Sequence, residues 1–442
     1  MYPNLYYVFK DWFGVEWQPL SYLNTFGLLV ALSFAGAAIT LSMELRRKEK
    51  QGLFTPVEES IIIGKPASIS ELLSNGLLGF LFGYKFLGLF LNKPEGISAQ
   101  DYIFSGQGFF VGGLLLALAM AGLKWWDKRK LQLPVPEKRI VRIWPHDRVG
   151  DMVILALVFG ILGAKLFDNL EHWDEFWSDP IGKLLSPSGL TFYGGLIVAA
   201  VAVCWYAYSK KITVKHLVDA AAPGLMLAYA IGRIGCQLSG DGDWGIYNSA
   251  YINDNKGKIS VAKPGDFEKM LNSNATYFLE GKVVEGNSTL YVSDRTYHDL
   301  KSVPHLSIKA PSFLPTWLFA YSYPRNVNKD GILMPGVTDE HNRTLPSPVF
   351  PTPIYETLLG GLLFFLLWIF RRKMNRPLMM FGVYLFVNGA ERYLVEMIRV
   401  NKSYGSAQLT QAEMIALGLM LSGFVLALFS YRTQKPVSET AS

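Results

Sequence analysis

Arg392, Glu396 and Arg399 follow one another at spacings of four and three residues, which puts all three on one face of a helix. A further arginine, Arg233, sits in Gly232-Arg233-Ile234-Gly235-Cys236 within an otherwise apolar stretch. Its flanking glycines permit close approach of another helix or a ligand. Guanidinium groups in low dielectric make strong, often bidentate hydrogen bonds to phosphate. Arg233 and Arg392 with one Glu leave a positive surplus that calls for an anion, and Glu396 is expected to orient one guanidinium. For Arg399 the alternative is a side chain snorkelling to an interface; for the set, it is an intrabundle salt bridge. Tyr193 opens another apolar run and is expected at the same level. Lys165, with Asp168 three residues on, reads as half of an internal ion pair, and Asp219 as reaching the membrane interface.

The chain that must position these groups has 442 residues, 50% of them hydrophobic and only 18% charged, with a mean hydropathy of +0.21. That composition points to a membrane protein. The 14% aromatic content fits, since Trp and Tyr collect at bilayer interfaces. The net charge of +6 lies in short basic clusters beside apolar runs, so no nucleic-acid partner is expected. Cys204 and Cys236 both fall in apolar segments and read as inert small residues. Six His without zinc-motif spacing give no expectation of a metal or other cofactor. No removable signal peptide is expected, because a basic n-region with a short apolar core is missing at the start.

Runs of the length needed to span a bilayer lie near Tyr22–Met43, Leu72–Leu91, Phe109–Leu123, Met152–Phe167, Leu190–Tyr208, Leu217–Cys236, Ile354–Phe370, Leu378–Ile398 and Glu413–Tyr431. The third and fourth are short. Basic clusters follow each odd-numbered run, as at Arg46–Lys50, Lys124–Arg142, Lys210–Lys215, Arg371–Arg376 and Arg432–Lys435, whereas Asp168–Asp179 is acidic. The positive-inside rule then sets the N-terminus outside and the C-terminus inside. Arg392 falls about 20 Å along the eighth run, in the outer half of the bilayer, at about 1.5 Å per residue. The ready anion at that depth is a phospholipid headgroup.

The expected fold is an all-α polytopic membrane protein of about nine transmembrane helices. Its expected segments are residues 1–50 with the first span, an extra helix pair at 51–147, core helices at 148–239, an outer domain at 240–350, and C-terminal core helices at 351–442. Within the outer domain, Tyr277–Leu279, Lys282–Glu285 and Thr289–Val292 read as a small β-meander or hairpin. The sequons at Asn274, Asn287 and Asn342 read as chance matches. An internal repeat is also visible. Gly83-Tyr84-Lys85 parallels Gly163-Ala164-Lys165, and Phe110-Val111-Gly112-Gly113-Leu114 parallels Phe192-Tyr193-Gly194-Gly195-Leu196. The spans give both copies the same orientation, which makes the repeat a parallel one.

Four motifs together resemble the prolipoprotein diacylglyceryl transferase family. Ser188-Gly189-Leu190-Thr191-Phe192-Tyr193-Gly194-Gly195-Leu196-Ile197 resembles its His-Gly-Gly-Leu motif, with Tyr193 in place of the His. Gly232-Arg233-Ile234-Gly235-Cys236, running on to Asp241-Gly242-Asp243-Trp244-Gly245, resembles its Gly-Arg-Leu-Gly-Asn signature, with Cys236 in place of the Asn. Pro351-Thr352-Pro353-Ile354-Tyr355-Glu356 is similar to its Pro-x-Gln-Leu-Tyr-Glu run, and Arg392 to Arg399 to its Arg-x-x-x-Glu-x-x-Arg motif. Asn388 and Phe26 stand near family Tyr positions. The resemblance covers residues 150–430 well apart from the outer insertion, and implies seven core spans with two added.

The resemblance implies transfer of diacylglyceryl from phosphatidylglycerol to the lipobox cysteine of a prolipoprotein signal peptide, with glycerol phosphate leaving. Carried over by motif, Tyr193, Arg233 and Arg392 become the expected catalytic residues. Arg233, Arg392, Glu396, Arg399, Asp241, Asp243, Gly194, Gly195 and Asn388 become the expected substrate-binding ones. The implied location is the bacterial inner membrane with the site facing the periplasm, and the default oligomeric state is a monomer. A lipid or solute transporter, or a non-catalytic lipid-binding relative, are the alternatives.

Overall fold

The computed structural model describes residues 1–433 apart from 95–96, 98, 187–188, 190, 255–256, 286–287, 400–402 and 405–408. Ser188 and Leu190 of the first motif, the sequon Asn287 and Lys435 lie outside the described residues. The principal helices are α1 (Leu5–Phe13), α2 (Thr25–Lys50), α3 (Ile69–Leu91), α4 (Phe110–Lys130), α5 (Val149–Glu171), α6 (Phe192–Ser209), α7 (Val214–Ser239), α8 (Asp266–Ser273), α9 (Ala275–Glu280), α10 (Thr352–Phe370), α11 (Met379–Glu396) and α12 (Gln411–Thr433).

Among the described residues, eight helices are long and apolar enough to cross a membrane: α2 to α7, α10 and α12, with α5 extended back to Pro145. The protein is therefore a mostly helical, polytopic membrane protein. The third and fourth spans, short in the sequence reading, are helices of 21 and 27 residues. The ninth expected span, Leu378–Ile398, contains α11, but α11 is not among the eight. Its 18 residues include Glu391, Arg392 and Glu396, which is more charge than a lipid-exposed span carries.

The chain divides into two compact units. One comprises Met1–Glu44 and the chain from Lys215 onward; the other is Leu45–Val214. The second unit holds two helix pairs, α3 with α4 and α5 with α6. They share the same construction. Gly83 of α3 meets the backbone of Gly112 and Gly113 in α4, and Gly163 of α5 meets Gly194 in α6. No side chain larger than hydrogen fits at either crossing. The backbone N–H of Phe109 donates to Tyr84 (2.8 Å), and that of Thr191 donates to Ala164 (3.1 Å). Each tie joins the residue before the repeat's Lys to the segment that opens the Gly-Gly helix. Lys85 itself donates to the carbonyls of Tyr102 (3.3 Å), Ser105 and Gln107 (2.7 Å), and Lys165 to that of Gly189 (3.4 Å). The repeat read from the sequence is thus matched at the glycine crossings and the backbone ties, while Lys85 and Lys165 differ in their partners. A two-stranded antiparallel ribbon, β1 (Val57–Ile63) with β2 (Glu137–Ile143), brackets the first pair.

The first unit is built on α7. Gly224 of α7 packs against Ala37 of α2, and Gly235 against Leu29 and Phe26. Gly360 of α10 rests on Tyr229 and Ala230 of α7, while Gly382 and Gly389 of α11 rest on α12. Asp219, expected to reach the interface, is buried. It accepts the backbone N–H groups of Leu378 (2.7 Å) and Phe381 (2.9 Å), so it caps the start of α11. The insertion between α7 and α10 has a core of Trp244, Tyr247, Phe278, Val303, Tyr323 and Leu345. Its expected hairpin forms from β3 (Lys282–Glu285) and β4 (Ser288–Tyr291). Tyr277–Leu279, expected as a strand, lies instead in α9. A three-residue apolar run carries no periodicity to separate strand from helix, and Gly281 ends α9 in the left-handed conformation at φ 68°.

Candidate active site

Arg233, Arg392, Glu396, Arg399 and Asp243 come together in the first unit around a residue outside the predicted site, Glu356. The carboxylate of Glu356 is fully buried in the first turns of α10. Arg392 Nη1 donates to its Oε1 at 2.9 Å, Arg233 Nε lies 3.3 Å from its Oε2, and Arg399 Nη1 lies 3.6 Å from Oε1. The close seat of Gly360, one turn on, against Tyr229 and Ala230 of α7 aims Glu356 at Arg233. Arg392 also pairs with Glu396 at 3.1 Å, and Glu396 accepts the Thr410 hydroxyl at 2.9 Å.

Asp243 closes the cluster. Its two carboxylate oxygens take Arg233 and Arg399 separately. The turn that delivers it depends on Gly240 (φ 66°) and Gly242 (φ 96°), a backbone region open to glycine. Thr352, Arg295 and Gly245 fix this turn. The Thr352 hydroxyl donates to the Asp243 carbonyl at 2.5 Å, Arg295 donates to the Gly242 carbonyl, and Gly245 N–H donates to Phe350 at 2.9 Å. Burial works against the Asp243 charge, but Arg399 and Arg233 outweigh it and hold the carboxyl well below the usual range. Burial, and next the charge of Asp243, push the neighbouring Asp241 carboxyl up.

One expectation is corrected here and one alternative set aside. The positive surplus is absent: Arg233, Arg392 and Arg399 face Asp243, Glu356 and Glu396. Arg399 does not snorkel; its side chain is 7% exposed and bonded to Asp243. Two further residues were not anticipated. Tyr229 places its hydroxyl 3.0 Å from Glu356 and 3.1 Å from Glu391, itself buried on α11. Nothing in the spacing of Tyr229, Glu356 and Glu391 pairs them. Glu356 alone had a signal, as the last residue of its motif.

Charge balance does not mean that every donor is used. Arg392 Nε and Arg399 Nη1 are buried and donate to no acceptor among the described residues. The cluster therefore keeps N–H groups in low dielectric of the kind that an oxyanion can accept from. Cys236, Asp241 and Asp243 have ligand atoms within 4.8 Å of one another. Asp243 is already committed to two guanidiniums, so this corner favours salt bridging over a cation.

The remaining predicted residues sit elsewhere in the fold. Asn388 is half-buried on α11, one turn before Arg392. Gly194 and Gly195 seat α6 against Phe167, Gly163 and Gly160 of α5, so a helix fills the space beside each glycine. Tyr193 begins α6 in the second unit. It is half-buried, with its ring 5.7 Å from that of Phe192.

A family model described as prolipoprotein diacylglyceryl transferase matches residues 103–429, about three quarters of the chain, including every residue of the cluster. This chain belongs to the prolipoprotein diacylglyceryl transferase family. The match begins inside the pair expected to be extra and takes in α4. Relatives named phosphatidylglycerol–prolipoprotein diacylglyceryl transferase are similar over shorter stretches. One from Dehalococcoides mccartyi is 33% identical over 128 residues, 29% of this chain and 46% of the relative. One from Leptospira interrogans is 22% identical over 276 residues, 57% of this chain and 62% of the relative. One from Streptococcus uberis is 38% identical over 91 residues, 20% of this chain and 35% of the relative. The chain thus spans between a third and two thirds of the length of these transferases.

Proposed function

We propose that this protein transfers the diacylglyceryl group of phosphatidylglycerol to the lipobox cysteine of prolipoproteins. The observation that carries the reading is the buried cluster of three arginines, in which Arg392 Nε and Arg399 Nη1 make no hydrogen bond among the described residues. In this reaction the cysteine sulfur attacks the diacylglyceryl carbon bonded to the phosphate oxygen. A C–S bond forms and that C–O bond breaks. Its electron pair leaves with glycerol phosphate, and the thiol gives up its proton. Arg233, Arg392 and Arg399 hold the phosphate and stabilise its growing charge. Asp243, Glu356 and Glu396 hold the guanidiniums in place, and Asp241 and Asn388 are left to meet the glycerol hydroxyls. A free thiol has a pKa of about 8.5, so its attack near neutral pH calls for a proton acceptor.

Tyr193 is assigned a part on its motif alone, as proton acceptor or as a positioning hydroxyl. Its phenol is a weaker base near neutral pH than the His of the family motif, and this favours a second reading, a lipid-binding member without turnover. The basic clusters after alternate spans support an N-terminus and an insertion on the periplasmic side of the inner membrane, a C-terminus in the cytoplasm, and α11 as a ninth, protein-enclosed span. The partners are phosphatidylglycerol and the prolipoprotein signal peptide, and the working unit is a monomer.

The test is turnover by purified protein in detergent, with phosphatidylglycerol and a lipobox peptide, reading glycerol phosphate release. Release that needs both the peptide thiol and Arg233, lost in Arg233→Ala, is the expected result. Well-folded protein that binds phosphatidylglycerol and releases nothing overturns the transferase in favour of the second reading.

A further inference from the structure

The insertion carries an exposed apolar loop that the reaction does not use. Residues 309–319 leave and re-enter the fold at one point: the buried side-chain amide of Asn248 donates to both Ile308 (2.8 Å) and Phe319 (3.0 Å) carbonyls. The hydroxyl of Tyr251 takes the N–H of Ala310 at 2.8 Å. Pinned at its neck and stiffened by Pro311 and Pro315, the loop holds out Phe313 (80% exposed), Leu314 and Trp317 (50% exposed). It contains one cation, Lys309, and no acidic residue.

Where the loop rests decides what covers it. Tyr355, in the first turn of α10, donates its hydroxyl to the Leu318 carbonyl at 2.5 Å. Tyr355 heads a stripe of α10 that continues through Leu358, Leu362, Phe365 and Ile369, all exposed and all on one face of a membrane-length helix. The loop is therefore tied to the end of a bilayer-facing surface, and its Phe, Leu and Trp extend that surface. A ring of Trp and Phe at this level, with a neighbouring Lys, suits the headgroup boundary of an anionic bilayer.

We propose that residues 311–318 insert into the lipid interface and anchor the insertion to the bilayer beside α10. The anchor fixes the height of the turn bearing Asp241 and Asp243 over the membrane. The proposal rests on α10 crossing the membrane and does not depend on the chemistry of the site.

The test uses the full chain in liposomes of phosphatidylglycerol and phosphatidylethanolamine, with nitroxides at Phe313→Cys or Trp317→Cys in a Cys204→Ser/Cys236→Ser background. Collision with oxygen reports the bilayer, and collision with a water-soluble nickel chelate reports solvent. Leu362→Cys on α10 is the bilayer reference, and Lys269→Cys, exposed on α8, the water reference. Both loop positions are expected to match Leu362, with an oxygen-to-nickel ratio several-fold above that of Lys269. Loop positions that match Lys269 overturn the anchor. So do positions that match Lys269 alone and become shielded when a lipobox peptide is added, which would make the loop a peptide dock. A water-accessible Leu362 would remove the span on which the anchor rests, and the anchor with it.

Discussion

Two clusters, one in each unit, hold positive charge by opposite means. In the first, Arg233, Arg392 and Arg399 meet carboxylates; in the second, Lys85 meets backbone carbonyls. An ammonium has three donors, and Lys85 spends all three on Tyr102, Ser105 and Gln107. A guanidinium has five, and carboxylates in the cluster leave some of them unused. Carbonyl partnering saturates a cation and makes it a structural tie. Carboxylate partnering balances its charge and leaves it able to receive an anion. Counting donors, and not net charge, separates the candidate site from the scaffold.

The strongest way to break this contrast is Glu356→Ala, which leaves three guanidiniums around an empty centre. Losing one partner of a buried ion network is expected to cost about 3–5 kcal/mol. Thermal unfolding in detergent should show the loss, and turnover should vanish; near-normal turnover would sink the cluster as the site. Arg392→Lys keeps the charge and removes the fork. A loss in kcat of about a hundredfold is expected with the melting temperature nearly kept.

Lys85→Met tests the other side. Three carbonyls lose their donor, with an expected destabilisation of about 1–3 kcal/mol, while turnover per folded molecule should match wild type. A drop in turnover at constant stability would erase the distinction.

Asp330 in the insertion shows a third solution, partial neutralisation. Burial pushes its carboxyl up to about 6, against the pull of hydrogen bonds from Tyr277 and Ser293 and the charge of Arg295. A raised carboxyl contributes stability that is full below the unfolded value of about 3.9 and is lost as pH rises through about 6. Hydrogen exchange of the insertion should show a fall of about 2–3 kcal/mol over that window in wild type and little in Asp330→Asn. Smallest of all, Tyr193→Phe should alter stability by less than about 0.5 kcal/mol. Its turnover then reads the phenol's part in the chemistry directly.

The motifs made Arg233, Asp243, Arg392, Glu396 and Arg399 legible, because each keeps its neighbours along the chain. The repeat was legible for the same reason: Gly83 and Gly163 precede their lysines at identical spacing. Glu356 was visible as a motif residue but not as the hub, since its partners lie 123, 36 and 43 positions away and only the packing of α7, α10 and α11 joins them. Tyr229 and Glu391 belong to no motif quoted from the sequence. Gly194 and Gly195 carry no such signal, because glycine serves a helix crossing and a ligand equally well, and the choice depends on what lies opposite.

The cap that Asp219 places on α11 bears on how the protein is made. Each charge at the centre of a helix opposes its transfer from the translocon into lipid by about 2.5–3.5 kcal/mol, and α11 carries Glu391, Arg392 and Glu396. As the ninth span proposed above, it would be the helix least able to enter the bilayer by itself. α7 is synthesised earlier and offers Asp219 for its first N–H groups, and α10 offers Glu356 for its arginine. Ribosome order thus supplies the partners before the needy helix emerges. A chain with Asp219→Ala is expected to stall at α11, which would appear as a protease-sensitive segment in newly made protein.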